Sequence, residues 1–209
     1  MKELPYWAMK QTVPEGATPF DDCVFGTEGV EGWFKVVGKK LRIHVYGTNH
    51  MGDWGNNAKA RKLGKMHGSS ARVHRGAYAY AVRLTHRLGD LVQAADYIEI
   101  SGHSMGSMIA PIFAFRYRRF KDKLWTIRLT GAVPCGDVNF LHEYRECGLN
   151  GATTNVRTLF DFFVHIVAPF MRLFLGYHQV GYVIRKKVKN PFRLMYNHRY
   201  PQYLEYHRV

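Results

Sequence analysis

Apolar residues recur along this chain in two rhythms: short runs that stop at a glycine, and longer stretches spaced by three and four. Residues 41–46, 97–101 and 125–130 are rich in β-branched and apolar side chains and meet Gly47, Gly102 and Gly131, a pattern that predicts three strands. Residues 74–95 put Ala77, Ala81, Leu84, Leu88, Leu91 and Val92 on one helical face, and residues 105–117 carry Met108, Ile109, Ile112, Phe113 and Phe115 straight after the second strand. Strand, helix, strand, helix, strand predicts an α/β chain with a mostly parallel central sheet. Sites in such sheets form beyond the carboxyl ends of the strands, so the glycine turns are where chemistry is sought.

Composition narrows the reading. The chain has 209 residues, 46% hydrophobic and 14% aromatic, which is enough to build a core and excludes a disordered polymer. No repeat, low-complexity tract or linker divides it, so one domain over residues 1–209 is expected, with residues 1–40 carrying no motif that can be placed. The formal charge of +14 and a pI near 9.8 admit nucleic acid, an anionic membrane surface or acidic substrates. Basic residues gather in residues 59–75, 116–128 and 185–208. Cys23, Cys135 and Cys147 are too scattered for a disulfide framework and form no Cys-x-x-Cys pair, which suits a reducing compartment. The first residues lack the apolar stretch of a signal peptide, and the apolar segment 159–177 is broken by Asp161, His165, Pro169 and Arg172. The expectation is a soluble chain, cytoplasmic or otherwise non-classically localised.

The turn after the second strand reads Gly102-His103-Ser104-Met105-Gly106, a Gly-x-Ser-x-Gly sequence between a predicted strand and a predicted helix. A nucleophile at such a turn sits in strained backbone, and the two glycines let strand and helix approach. Ser104 would present its hydroxyl at a helix N-terminus, where the Met105 N–H is placed to stabilise an oxyanion. Serine is a poor nucleophile alone, so this reading demands a histidine base and a carboxylate to orient it.

With this turn the sequence resembles the class 3, fungal-type lipases of the α/β-hydrolase fold, and other motifs follow in the family's order. Val45-Tyr46-Gly47-Thr48 and then Asp53-Trp54-Gly55-Asn56-Asn57 are similar to a strand ending in Arg-Gly-Thr followed by Asp-Trp-x-x-Asn, with Tyr46 in place of the arginine. Val73-His74-Arg75-Gly76-Ala77-Tyr78 resembles Val-His-x-Gly-Phe, and residues 130–137 resemble Phe-Gly-x-Pro-x-Val-Gly-Asn. The resemblance runs over residues 41–203 and implies a three-layer α/β-hydrolase-type fold. It implies Thr48 as the second oxyanion donor and Asp161 as the triad acid, Asp137 being the nearest rival. It also implies His198, in His198-Arg199-Tyr200-Pro201-Gln202-Tyr203, as the base. His178 is the second choice for that role and His207 the third, since the latter lies near a fraying end. His44 and His86 read as structural or surface residues.

The implied activity is hydrolysis of carboxylic esters, of lipid or glyceride type, through an acyl-enzyme, with no cofactor and no metal. Residues 49–60, where the family carries its lid, are mostly polar and contain two glycines, so strong interfacial activation is not expected. Asp53, Trp54 and Asn57 in that stretch read as structural. The aromatic group Phe162, Phe163, Phe170 and Phe174 with Leu173 is expected to pack in the core rather than to line an acyl pocket. A lipid or small ester is the expected partner, with peripheral contact to an anionic membrane surface and no specific nucleic-acid recognition. Two other readings stay open: a silent scaffold of the same fold binding anionic lipid or nucleic acid, and an acyltransferase using the same triad.

Overall fold

The computed structural model describes residues 13–21, 30–46, 63–120, 122–158, 161 and 163–186. A seven-stranded sheet forms its centre. In chain order the strands are β1 (Thr18–Asp21), β2 (Val30–Val37), β3 (Lys40–Val45), β6 (Tyr97–His103), β7 (Leu124–Thr130), β8 (Thr153–Thr158) and β9 (Tyr182–Lys186), and they neighbour one another in that order. From β3 to β9 every pairing is parallel, while β1 and β2 add an antiparallel edge. A separate two-stranded ribbon joins β4 (Leu63–Lys65) to β5 (Arg72–His74). Two strands of the main sheet thus come from within residues 1–40, where no motif had been placed.

Helices cross between the parallel strands. Helix α1 (Arg75–Ala94) buries Ala77, Tyr80, Ala81, Leu84, Leu88 and Val92 at spacings of three and four, so one stripe faces the sheet. Its first turn is capped by the His74 ring, whose Nδ1 accepts the Ala77 N–H at 3.2 Å. Helix α2 (Gly106–Arg116) is buried from Gly106 to Phe115, as a helix apolar on every side must be. Below it lie the alternate residues Leu41, Ile43 and Val45 of β3 and Ile98 and Ile100 of β6, all 1% exposed or less. Helix α3 (Val138–Glu146) joins the same core through Phe140 and Tyr144, and the Phe115 and Phe140 rings meet at 5.2 Å.

Residues around α4 (Ala168–Leu175) depart from expectation. A π-helical turn (Phe163–Val167) leads into it, and Gly176 at φ 66° ends it in the left-handed conformation that favours glycine. Only Ala168 and Met171 of this helix are buried, whereas Phe170, Leu173 and Phe174 are 54%, 77% and 71% exposed. These three side chains therefore do not pack in the core. Phe162 and the Phe163 side chain lie outside the described residues. Among the described residues, no helix is long and apolar enough to cross a membrane.

Candidate active site

Strand β6 delivers Ser104 to the carboxyl edge of the sheet, between its last residue His103 and the start of α2 at Gly106. The chain must reverse there within two residues. Ser104 takes φ 52°, making it the one non-glycine with positive φ among the described residues. A side chain in that region costs on the order of 1–2 kcal/mol, so surrounding contacts have to hold it. They do. The Ser104 N–H donates to the Thr130 carbonyl at 3.1 Å, and its own carbonyl accepts from the Ser107 N–H at 2.9 Å and from the Ser107 hydroxyl. Ser107 Oγ in turn accepts the Val133 N–H at 3.3 Å, which ties the turn to the loop after β7.

Both flanking glycines are required by contact. A Cβ on Gly102 would sit 2.1 Å from the Gly106 carbonyl oxygen, and a Cβ on Gly106 would sit 2.2 Å from the Val45 carbonyl oxygen. All these neighbours are backbone, which cannot swing aside. The spacing of Gly-x-Ser-x-Gly is thus the condition for packing the first turn of α2 against the ends of β3 and β6. Ser107 and Met108 donate their N–H groups to Ser104 and Met105 carbonyls, while those of Met105 and Gly106 have no backbone acceptor among the described residues, as at the start of a helix.

Asp161 lies beyond the end of β8, two strands from β6, and is fully buried. Its carboxylate accepts the Val164 N–H at 3.2 Å, and its carbonyl accepts the His165 N–H at 2.9 Å, so it also starts the π-helical turn. Two strand spacings amount to about 10 Å. One imidazole with a hydrogen bond at each ring nitrogen bridges roughly 8 Å, which suits a histidine seated between Ser104 and Asp161.

His178 is held at its backbone. Its N–H donates to the Gly136 carbonyl at 2.6 Å and its carbonyl accepts the Cys135 N–H at 3.2 Å, forming a bridge to the loop after β7. His178 lines a cleft together with Arg145 and Arg172. Thr48, His198 and His207 lie outside the described residues, as do Asp53, Trp54, Asn57 and the rest of residues 49–60. Asp137 has a different occupation: it caps α3, accepting from the Phe140 N–H at 2.9 Å and the Arg72 N–H at 3.1 Å. His44 is buried in β3 with its Nδ1 2.7 Å from Ser101 Oγ, and His103 pairs with Thr130 at 3.2 Å. Burial pushes the His74 pKa down to about 4, keeping that cap neutral.

No protein-family model matches the chain, and no curated protein matches it in sequence. Solved structures do. Lipase II from Rhizopus niveus aligns at a TM-score of 0.59 with 17% identity, covering 76% of this chain and 62% of the lipase. A triacylglycerol lipase whose catalytic centre is a serine-protease triad aligns at 0.60 with 16% identity, over 76% and 62% of the two chains. The chain has the fungal-lipase fold. A triacylglycerol lipase from Penicillium expansum shares that fold at 17% identity and a TM-score of 0.56, over 82% of this chain and 70% of its own. This version of the fungal-lipase fold spans about three fifths of the Rhizopus niveus lipase.

Proposed function

We propose that the protein is a serine ester hydrolase acting on lipid or glyceride esters. The observation that carries the reading is Ser104 at φ 52° between two glycines that admit no Cβ, with the helix start directly behind it. A non-glycine holds that backbone only where surrounding contacts enforce it, and its effect is to set the serine at the helix start, beside the N–H groups of Met105 and Gly106. In the proposed reaction Ser104 Oγ attacks the ester carbonyl while His198 takes its proton. The resulting oxyanion is held by the N–H groups of Met105 and Thr48. His198 then gives the proton to the leaving alkoxide, and water, activated by the same imidazole, releases the acid and restores Ser104. Asp161 orients His198 and stabilises its charged form.

His198 is preferred to His178 because it stands in the terminal His-x-x-x-x-Tyr stretch that resembles the one carrying the catalytic histidine of fungal-type lipases. The lipid substrate is supported by the fold shared with triacylglycerol lipases. Turnover of short p-nitrophenyl esters by wild type, Ser104→Ala, His198→Ala and His178→Ala tests the assignment. Losses of about 10³-fold or more are expected for the first two variants, with His178→Ala retaining turnover. Wild-type turnover in Ser104→Ala would end the proposal.

A further inference from the structure

A cleft of about 540 Å³, lined by neither Ser104 nor Asp161, opens between α3, α4 and the segment that follows α4. Its polar lining comes from four successive parts of the chain: Arg145 on α3, Arg157 on β8, Arg172 on α4, and Tyr177, His178 and Gln179 beyond it. None of the three arginines belongs to a basic cluster of the sequence, so the fold alone gathers them. Arg145 and Arg172 are exposed, and among the described residues no carboxylate forms an ion pair with either.

Two neutral groups at the cleft are also unsatisfied. The Tyr177 hydroxyl and the Gln179 amide are buried without a hydrogen-bond partner among the described residues, and Tyr177 is 1% exposed. Buried polar atoms without partners cost about 1–3 kcal/mol each, so a ligand oxygen that accepts from the Tyr177 hydroxyl or the Gln179 Nε2 gains more than a contact made in water. Burial holds the Tyr177 pKa up at about 12, so this hydroxyl remains a donor at any ordinary pH.

The remaining walls are apolar. Leu141, Val164 and Leu173 line the cleft, and the exposed Phe170 and Phe174 rings meet at 4.8 Å, tilted by 35°, on the same helix as Arg172. Converging cations beside an apolar surface match a molecule with an anionic oxygen head and a hydrocarbon tail. We propose that this cleft is a second binding site, distinct from the Ser104 turn, for a single-chain amphiphile with a carboxylate or phosphate head. The head pairs with Arg145 and Arg172 and the tail leaves along Leu173 and the α4 aromatics. The site does not depend on Ser104 being a nucleophile.

Displacement of a fluorescent fatty acid bearing a free carboxylate tests it, with oleate, methyl oleate, a monoacyl phosphate and inorganic phosphate as competitors. Oleate or the monoacyl phosphate should displace the probe, the stronger one identifying the head group, and methyl oleate should be roughly tenfold weaker or worse. Arg145→Ala/Arg172→Ala, both at exposed positions, should weaken binding by a similar factor while melting and ester turnover stay unchanged. Ser104→Ala should bind as wild type. Equal competition by methyl oleate or by inorganic phosphate alone would overturn the proposal. So would unchanged binding in the double variant, or loss of binding in Ser104→Ala, which would put the probe in the ester site.

Discussion

Replacing Gly106 by alanine puts the geometry of the serine turn to a quantitative test. In most helices this change stabilises by about 0.5–1 kcal/mol, because alanine restricts the unfolded chain and favours the helix. At Gly106 the added Cβ meets the Val45 carbonyl oxygen at 2.2 Å and the Tyr46 carbonyl oxygen at 2.8 Å, where ordinary contact begins at 3.4 Å. Relief requires the first turn of α2 and the end of β3 to separate by about 1 Å, and neither has a flexible atom to yield. Overpacking of this kind costs about 1–3 kcal/mol, which lowers Tm by roughly 2–4 °C per kcal/mol in a domain of this size. The same displacement moves the Ser104 hydroxyl, and about 1 Å at a reacting group is enough for a 10²-fold loss of turnover. Gly89→Ala is the internal control: it sits inside α1, and its Cβ would meet only the Tyr117 hydroxyl at 3.7 Å. Thermal unfolding and ester turnover of the two variants should diverge, Gly106→Ala losing on both counts and Gly89→Ala gaining stability with activity intact. If Gly106→Ala melted as high as Gly89→Ala, the close approach of α2 to β3 would be refuted.

Other consequences are equally open to measurement. Ser104→Gly should melt above Ser104→Ala, since glycine relieves the φ 52° backbone while both variants lose the nucleophile; equal melting would remove the strain argument. Asp137→Ala should cost about 1 kcal/mol of stability through loss of the α3 cap and keep turnover, whereas Asp161→Asn should lose turnover, comparing urea midpoints with kinetics. His74 is held at about 4 in the fold against 6.5 when free, so the unfolded chain binds the extra proton first as pH falls. Stability is therefore whole above pH 6.5 and declines toward pH 4 by about 3 kcal/mol from this group. His74→Asn keeps a capping side chain without a titration and should flatten that decline in urea midpoints measured across the window.

Three neighbouring strands of the seven-stranded sheet were legible because they combine β-branched runs with glycine stops. Residues 41–46, 97–101 and 125–130 became β3, β6 and β7, and the two predicted helices became α1 and α2 within a residue or two. Strand β8 was not legible: Thr-Thr-Asn-Val-Arg-Thr looks like a loop, and its buried Thr153 and Asn155 owe their place to neighbours far along the chain. Thr153, for example, stands opposite Ile127 of β7, and Asn155 opposite Val183 of β9. The aromatics of α4 misled in the opposite direction. Their apolar character suggested a core position, but only Ala168 and Met171 of that helix face inward, so hydrophobicity alone could not assign the side. At the candidate site, the motif carried the serine turn completely, because each glycine answers to a local contact. The arginine cleft had no linear signal, since α3, β8 and α4 bring its charges together only in the folded chain.

The claim on which all else turns is that Ser104 is a nucleophile. Reaction of the protein with a fluorophosphonate probe, followed by proteolysis and mass mapping of the adduct, measures this directly. Stoichiometric phosphonylation at Ser104, lost in Ser104→Ala and in His198→Ala, is the expected result. Absence of labelling in the folded protein, or an adduct on any other residue, would contradict it.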